Sequence, residues 1–144
     1  MDPPRKADSM SIPLAMTPEL TVLALAGLLQ VAQFLAYSVA ANLQVGPKYA
    51  MGPRDTPRQL TGLAGRLQRA LSNHFEGLIL FTLAVLVLTL SGQSTLFTAT
   101  CAWVYLAARL AYVPAYAFGL SPWRSLIWVI GLLATTFMML AALL

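Results

Sequence analysis

The sequence predicts an all-α integral membrane protein, a bundle of four transmembrane helices. Two observations carry that expectation. Of 144 residues, 58% are hydrophobic and only 10% are charged, against about 25% charged in an ordinary soluble domain; mean hydropathy is +0.72. The apolar residues also gather into four runs, each near the ~20 residues that cross ~30 Å of hydrocarbon as a helix. Helices are required there because backbone groups have no water partners. Buried helices of a soluble protein with this composition would leave almost no charged surface.

The chain divides into an N-terminal segment, 1–16, and a helical domain, 17–144. The segment "MDPPRKADSMSIPLAM" is polar and proline-containing, so it is expected to be flexible. It lacks the basic, apolar and small-residue succession of a signal peptide. Thr17, Pro18 and Glu19 then supply a cap, a proline at the first helical position and an acid in the first turn. The expected helices run over about 18–42, 60–90, 95–118 and 123–142. Two Gly-Pro pairs in "VGPKYAMGPRDTPRQLTGLAG" break the first from the second, and "SGQS" and "GLSP" make the later turns.

Single residues of cysteine (Cys101) and histidine (His74) exclude a disulfide framework, a thiolate cluster and a multi-histidine metal site within one chain. No metal is therefore expected. The net charge of +4 reports topology rather than nucleic acid, since no recognition module accompanies it. Lys48, Arg54, Arg58, Arg66, Arg69, Arg109 and Arg124 all lie in or near the two connections on one side, leaving only Arg5 and Lys6 on the other. The positive-inside rule makes the first side cytoplasmic and places both termini outside.

Polar residues recur at one depth. Arg66, Arg69, Asn73 and Glu76 share a face of the second span, at spacings of three, four and three. Arg109, Tyr112 and Tyr116 repeat that spacing on the third, and Arg124, Ser125 and Trp128 open the fourth. Glu76 and Arg109 lie deep enough that an ionised group calls for a partner or a wet cavity, and they are expected to pair. His74, off this line, reads as a packing or surface residue. On the first span, Gln30, Gln33 and Tyr37 share a face beside a ridge of Ala32, Ala36 and Ala40. Gln33 is costly against lipid, so this helix is expected to face protein.

The donors that converge are guanidiniums, an amide, tyrosine hydroxyls and a serine. They suit a ligand bearing carboxylates and one amine, because arginine presents a bidentate fork to a carboxylate. A thiol beside Arg124 would be held as thiolate, its nucleophilic form, with Ser125 donating to the sulfur. With no nucleophile-histidine-acid set in the chain, the chemistry would come from the ligand, and the protein would supply position and field.

The segments "GRLQRALSNHFEG" and "ARLAYVPAYAFGLSPWRSLIW", with "GPRD" at 52–55, resemble the membrane-associated proteins in eicosanoid and glutathione metabolism, the MAPEG family. The likeness spans about residues 18–142; "GPRD" is similar to the first loop of bacterial relatives, and the chain resembles a bacterial-type member akin to microsomal glutathione transferase or prostaglandin E synthase. It implies a homotrimer in a bacterial inner membrane, with glutathione bound between subunits on the cytoplasmic side. Arg69, Asn73, Glu76, Tyr116, Arg124 and Ser125 match glutathione-contacting positions. Among them, Arg124 matches the thiolate-stabilising arginine and Ser125 the serine beside it. Arg109 matches a structural or pocket arginine, and Arg66 and Tyr112 join the expected cofactor-binding set. The chain departs from the pattern at Ser72, where the synthases commonly carry an arginine. It also has Tyr112 where the prostaglandin synthase has a histidine, Trp128 for a late tyrosine, and no proline after Glu76.

Three functions remain open at this point. One is a glutathione-dependent transferase or peroxidase acting on apolar electrophiles or lipid hydroperoxides in the membrane. The second is a non-catalytic lipid-binding or scaffold protein of the same fold, for which Ser72 speaks. The third is a small transporter built on Glu76, for which the surrounding arginines make a poor cation site.

Overall fold

The structure, a computed structural model, describes residues 15–144; the expected flexible segment lies almost wholly outside them. The helices are α1 (Pro18–Val45), α2 (Pro47–Met51), α3 (Gly62–Ser91), α4 (Leu96–Ala117) and α5 (Trp123–Ala141). Among the described residues, all but α2 are long and apolar enough to cross a membrane. This is a multi-pass integral membrane protein.

Helix ends follow local chemistry. Thr17 Oγ1 accepts from the Leu20 amide at 3.3 Å, with Pro18 at the first position. A reciprocal capping box of Thr95 and Thr98 opens α4. Gly92, at φ 66°, closes α3 in the left-handed conformation that glycine adopts without penalty. Two details depart from expectation. Gly46 ends α1, but Pro47 at once starts the five-residue α2, because proline's fixed φ suits a first helical position. Helix α4 also runs through Pro114, which lies in its last turn, where few backbone bonds are forfeited.

Helix α4 packs most extensively on α5, and α1 on α3. The core is built from Val22, Ala26, Phe81, Ala84, Val85, Leu88, Ala102, Tyr105, Ala134 and Met138. Alanines on every spanning helix let the backbones approach closely, the packing that drives association where burial from water does not. Phe81 and Tyr105 stack at 3.9 Å between ring centres. Large apolar side chains such as Leu28, Leu83, Trp103 and Phe137 point outward, as the solvent on that face is acyl chain. The Ala32 and Ala36 ridge of α1 is also exposed.

Length places the polar residues. At 1.5 Å per residue, the 30-residue α3 is about 45 Å long, some 15 Å more than the hydrocarbon slab. Its first turns, carrying Arg66 and Arg69, reach the interface on the side of the long connection, and Asn73 stands near the slab boundary.

Candidate functional site

A cavity of about 220 Å³ at the loop-side end is lined by Asn73 of α3, Tyr112 and Tyr116 of α4, and Arg124, Ser125 and Trp128 of α5. These residues come from the three polar stripes read in the sequence, which the fold brings to one place. The Arg124 guanidinium sits 4.9 Å above the Tyr116 ring, and the Tyr112 and Tyr116 rings tilt against each other at 5.5 Å. Helix α5 starts at Trp123, so Arg124 and Ser125 occupy its first turn; their amides already bond the Leu120 and Pro122 carbonyls, which leaves the side chains and the helix dipole to favour an anion there.

Behind this wall lies Arg109, only 3% exposed. Its Nη1 donates to Asn73 Oδ1 at 3.2 Å, and its guanidinium lies 5.1 Å from the Tyr105 ring centre and 6.0 Å from that of Tyr112. One glycine cuts the slot, and a second borders it at ordinary contact distance. A Cβ on Gly77 would come within 2.8 Å of Arg109 Cζ, and one on Gly131 within 3.6 Å of its Nε. Glycine at 77 therefore admits the guanidinium. The expected Glu76–Arg109 pair is not what forms: Glu76 is exposed on the outer side of α3, and Arg109 turns to Asn73 and the tyrosine faces. Spacing alone put Glu76 and Arg109 at similar depth, but helix rotation points the carboxylate outward from the bundle.

The remaining arginines reach other targets. Arg66 Nε donates to the Ala117 carbonyl at 2.8 Å, satisfying an end group of α4 that has no helical partner. Arg69 Nε donates to the Tyr116 hydroxyl at 3.3 Å, so it braces the site from behind while itself lining a second cavity beside α1. Of the expected set, Asn73, Tyr112, Tyr116, Arg124 and Ser125 share the loop-side cavity. Arg69 and Arg109 touch its walls, whereas Arg66 and Glu76 are outside the lining.

Two features escaped the sequence reading. Tyr105 lies four residues before Arg109, so the α4 stripe extends one turn deeper than Arg109, Tyr112 and Tyr116 indicate. Gly77 carries no signal of its own until the guanidinium beside it is seen. Of the two readings open for His74, packing is the one that holds: it is buried, and its Nδ1 is hydrogen-bonded to Gln33 Nε2, which fastens α1 to α3 one residue from Asn73. Gln33 thus meets protein within its own chain. Among the described residues, no group of three His, Cys, Asp or Glu is placed to hold a metal.

Fold and site together define a class: a four-span membrane protein with a basic, aromatic cavity at one end of the bundle. Residues 20–144 match the MAPEG family model, and the chain belongs to the MAPEG family. No curated protein matches it significantly.

Proposed function

We propose that this protein is a glutathione-dependent transferase or peroxidase, acting on apolar electrophiles or lipid hydroperoxides dissolved in the membrane. The observation that carries the reading is Arg124, which lines one cavity with Ser125, Asn73, Tyr112 and Tyr116. The donor set fits glutathione, whose carboxylates and thiolate are anions and whose thiol supplies the nucleophile. The Arg124 guanidinium holds negative charge at the sulfur position, lowering the cost of losing the thiol proton. The Ser125 hydroxyl is a second donor in the same helical turn. Arg109 occupies Asn73 Oδ1, which leaves the Asn73 NH₂ as the free, donating end of that amide.

Size supports assembly. Small-molecule pockets usually span ~300–1,000 Å³, and 220 Å³ is small for a tripeptide, so a neighbouring subunit would complete the site. In this reading the protein is a homotrimer with the exposed α1 ridge and Glu76 turned toward neighbours, and the site faces the cytoplasm in keeping with its basic side. The test is conjugation of glutathione to a model electrophile by purified protein, with the thiolate absorbance read in parallel. Both should be present in the wild type and lost in Arg124→Ala. No binding at millimolar glutathione, or equal activity in the variant, would overturn the proposal.

A second reading, a non-catalytic lipid-binding or scaffold protein of this fold, is favoured by Ser72, which is exposed where an arginine would add a carboxylate anchor. Lipid retained through purification, with no dependence on thiol, would select it.

A further inference from the structure

The second cavity, about 690 Å³, lies on the opposite side of α3, between α1 and the long connection. Its lining is ordered by polarity. At the loop end stand Arg54 and Arg58; further down come Asn42, Ser38 and Tyr37 of α1, with Gln68 and Arg69 of α3 opposite; Phe34 lies at the bottom. From Val45 to Phe34 the α1 wall descends eleven residues, about 16 Å at 1.5 Å per residue, from the connection to the depth of the Gln33–His74 contact, near the slab boundary. The neighbouring α1 face, Leu35, Val39 and Leu43, is exposed and apolar, so the cavity opens beside lipid.

The loop that roofs it is held in shape. Tyr49 is its hub: its hydroxyl donates to Thr56 O at 2.8 Å and accepts from the Arg58 amide at 3.0 Å. Arg54 adopts a left-handed backbone, φ 58°, unusual for a residue other than glycine, and its Nε and Nη2 fork onto the Ala50 carbonyl at 3.0 and 2.6 Å. Arg58 lies over the Tyr49 ring at 4.6 Å and donates through Nη1 to Val45 O. These carbonyls occupy only part of each guanidinium's five donors. The two cations are therefore fixed at headgroup level with donors to spare.

We propose that this cavity binds one anionic phospholipid from the leaflet facing the long connection. Its phosphate sits at Arg54 and Arg58, and its glycerol and upper acyl chain run down α1 past Tyr37 to Phe34. The graded lining separates this occupant from a soluble phosphate, which has no use for a 16 Å wall, and from a zwitterionic lipid, whose ammonium the arginines repel. Arg69 lines this cavity and also braces Tyr116 of the first one, but the lipid contacts proposed here involve no thiol chemistry.

The test is equilibrium binding of tail-labelled phosphatidylglycerol to the full chain in neutral detergent micelles. Saturable binding of one lipid per protomer is expected, about tenfold tighter than for phosphatidylcholine. Gln68→Glu puts a carboxylate in the wall without removing a loop contact and should weaken binding about fivefold or more, whereas Gln68→Lys should preserve it. Arg54→Gln should weaken it as well. Equal affinity for the two lipids, unchanged binding in Gln68→Glu, or competition by glycerol phosphate as effective as by the lipid would overturn the proposal.

Discussion

The two ends of the bundle both bury ionisable chemistry, and they treat it in opposite ways. At the end away from the long connection, Glu19 is completely buried. One carboxylate oxygen accepts from Thr98 Oγ1 at 2.5 Å and the other from Ser94 Oγ at 2.8 Å. It stands beside the N-terminus of α4, where the helix dipole favours negative charge. Both oxygens are used, and α1 is tied to the α3–α4 turn and to α4. At the loop-side end, Arg124 has a tyrosine face beneath it and a cavity before it, and Asn73 is held by one edge with the other free. A polar group whose bonding capacity is filled by its own chain is a fastener. One that is braced and left with capacity toward a cavity is equipped to take a ligand.

Substitutions at the two ends should separate accordingly. The largest effect is expected from Arg124→Ala, which removes the charge facing the cavity. Glutathione-dependent turnover should fall roughly 10²- to 10³-fold, the range for losing one electrostatic stabiliser, with the thermal midpoint in detergent nearly unchanged. Retained turnover with a lowered midpoint would make Arg124 a fastener and erase the contrast. Glu19→Ala should do the reverse. It strands two hydroxyls and should cost about 2–3 kcal/mol of stability while leaving the KM for glutathione unaltered, as thermal denaturation and steady-state kinetics would show.

Gly77→Ala probes the wall between the two kinds of group. A methyl there meets the Arg109 guanidinium, and overpacking costs about 1–3 kcal/mol. Because Arg109 holds Asn73, glutathione affinity should drop as well, and a stability loss without any change in affinity would show that Arg109 does not position the amide. The smallest effect, about 1 kcal/mol, is expected for Gln33→Leu with His74→Leu. That pair removes the α1–α3 hydrogen bond from both sides, so each single variant should be less stable than the double, a comparison readable from three melting curves.

Membrane class, span count and polar stripes were legible in the chain because each rests on local pattern. Hydropathy over ~20 residues and spacings of three and four depend only on the helix period. Asn73, Tyr112, Tyr116, Arg124 and Ser125 were assignable to one end of the bundle for that reason. The partner of Arg109 was not legible. Depth along a span follows from counting residues, but the direction in which a side chain leaves the helix relative to its neighbours depends on how four helices rotate when packed. Glu76 and Asn73 are three residues apart on α3, and only the packed bundle shows that Arg109 meets the amide.

Glu19 makes the same point from the other end. Its position in the first turn of α1 reads as a helix-dipole acid, yet its burial under Ser94 and Thr98 joins residues more than seventy apart. The loop arginines also read as interface charge, whereas the fold spends them on the carbonyls of Val45 and Ala50 and so shapes a cavity beside α1. By itself the sequence determined the solvent, the number of crossings and the depth of each polar residue, since those follow from composition and helical rise. Tertiary structure alone decided which groups are saturated and which keep donors free, because hydrogen-bond partners across helices are set by rotation and close approach.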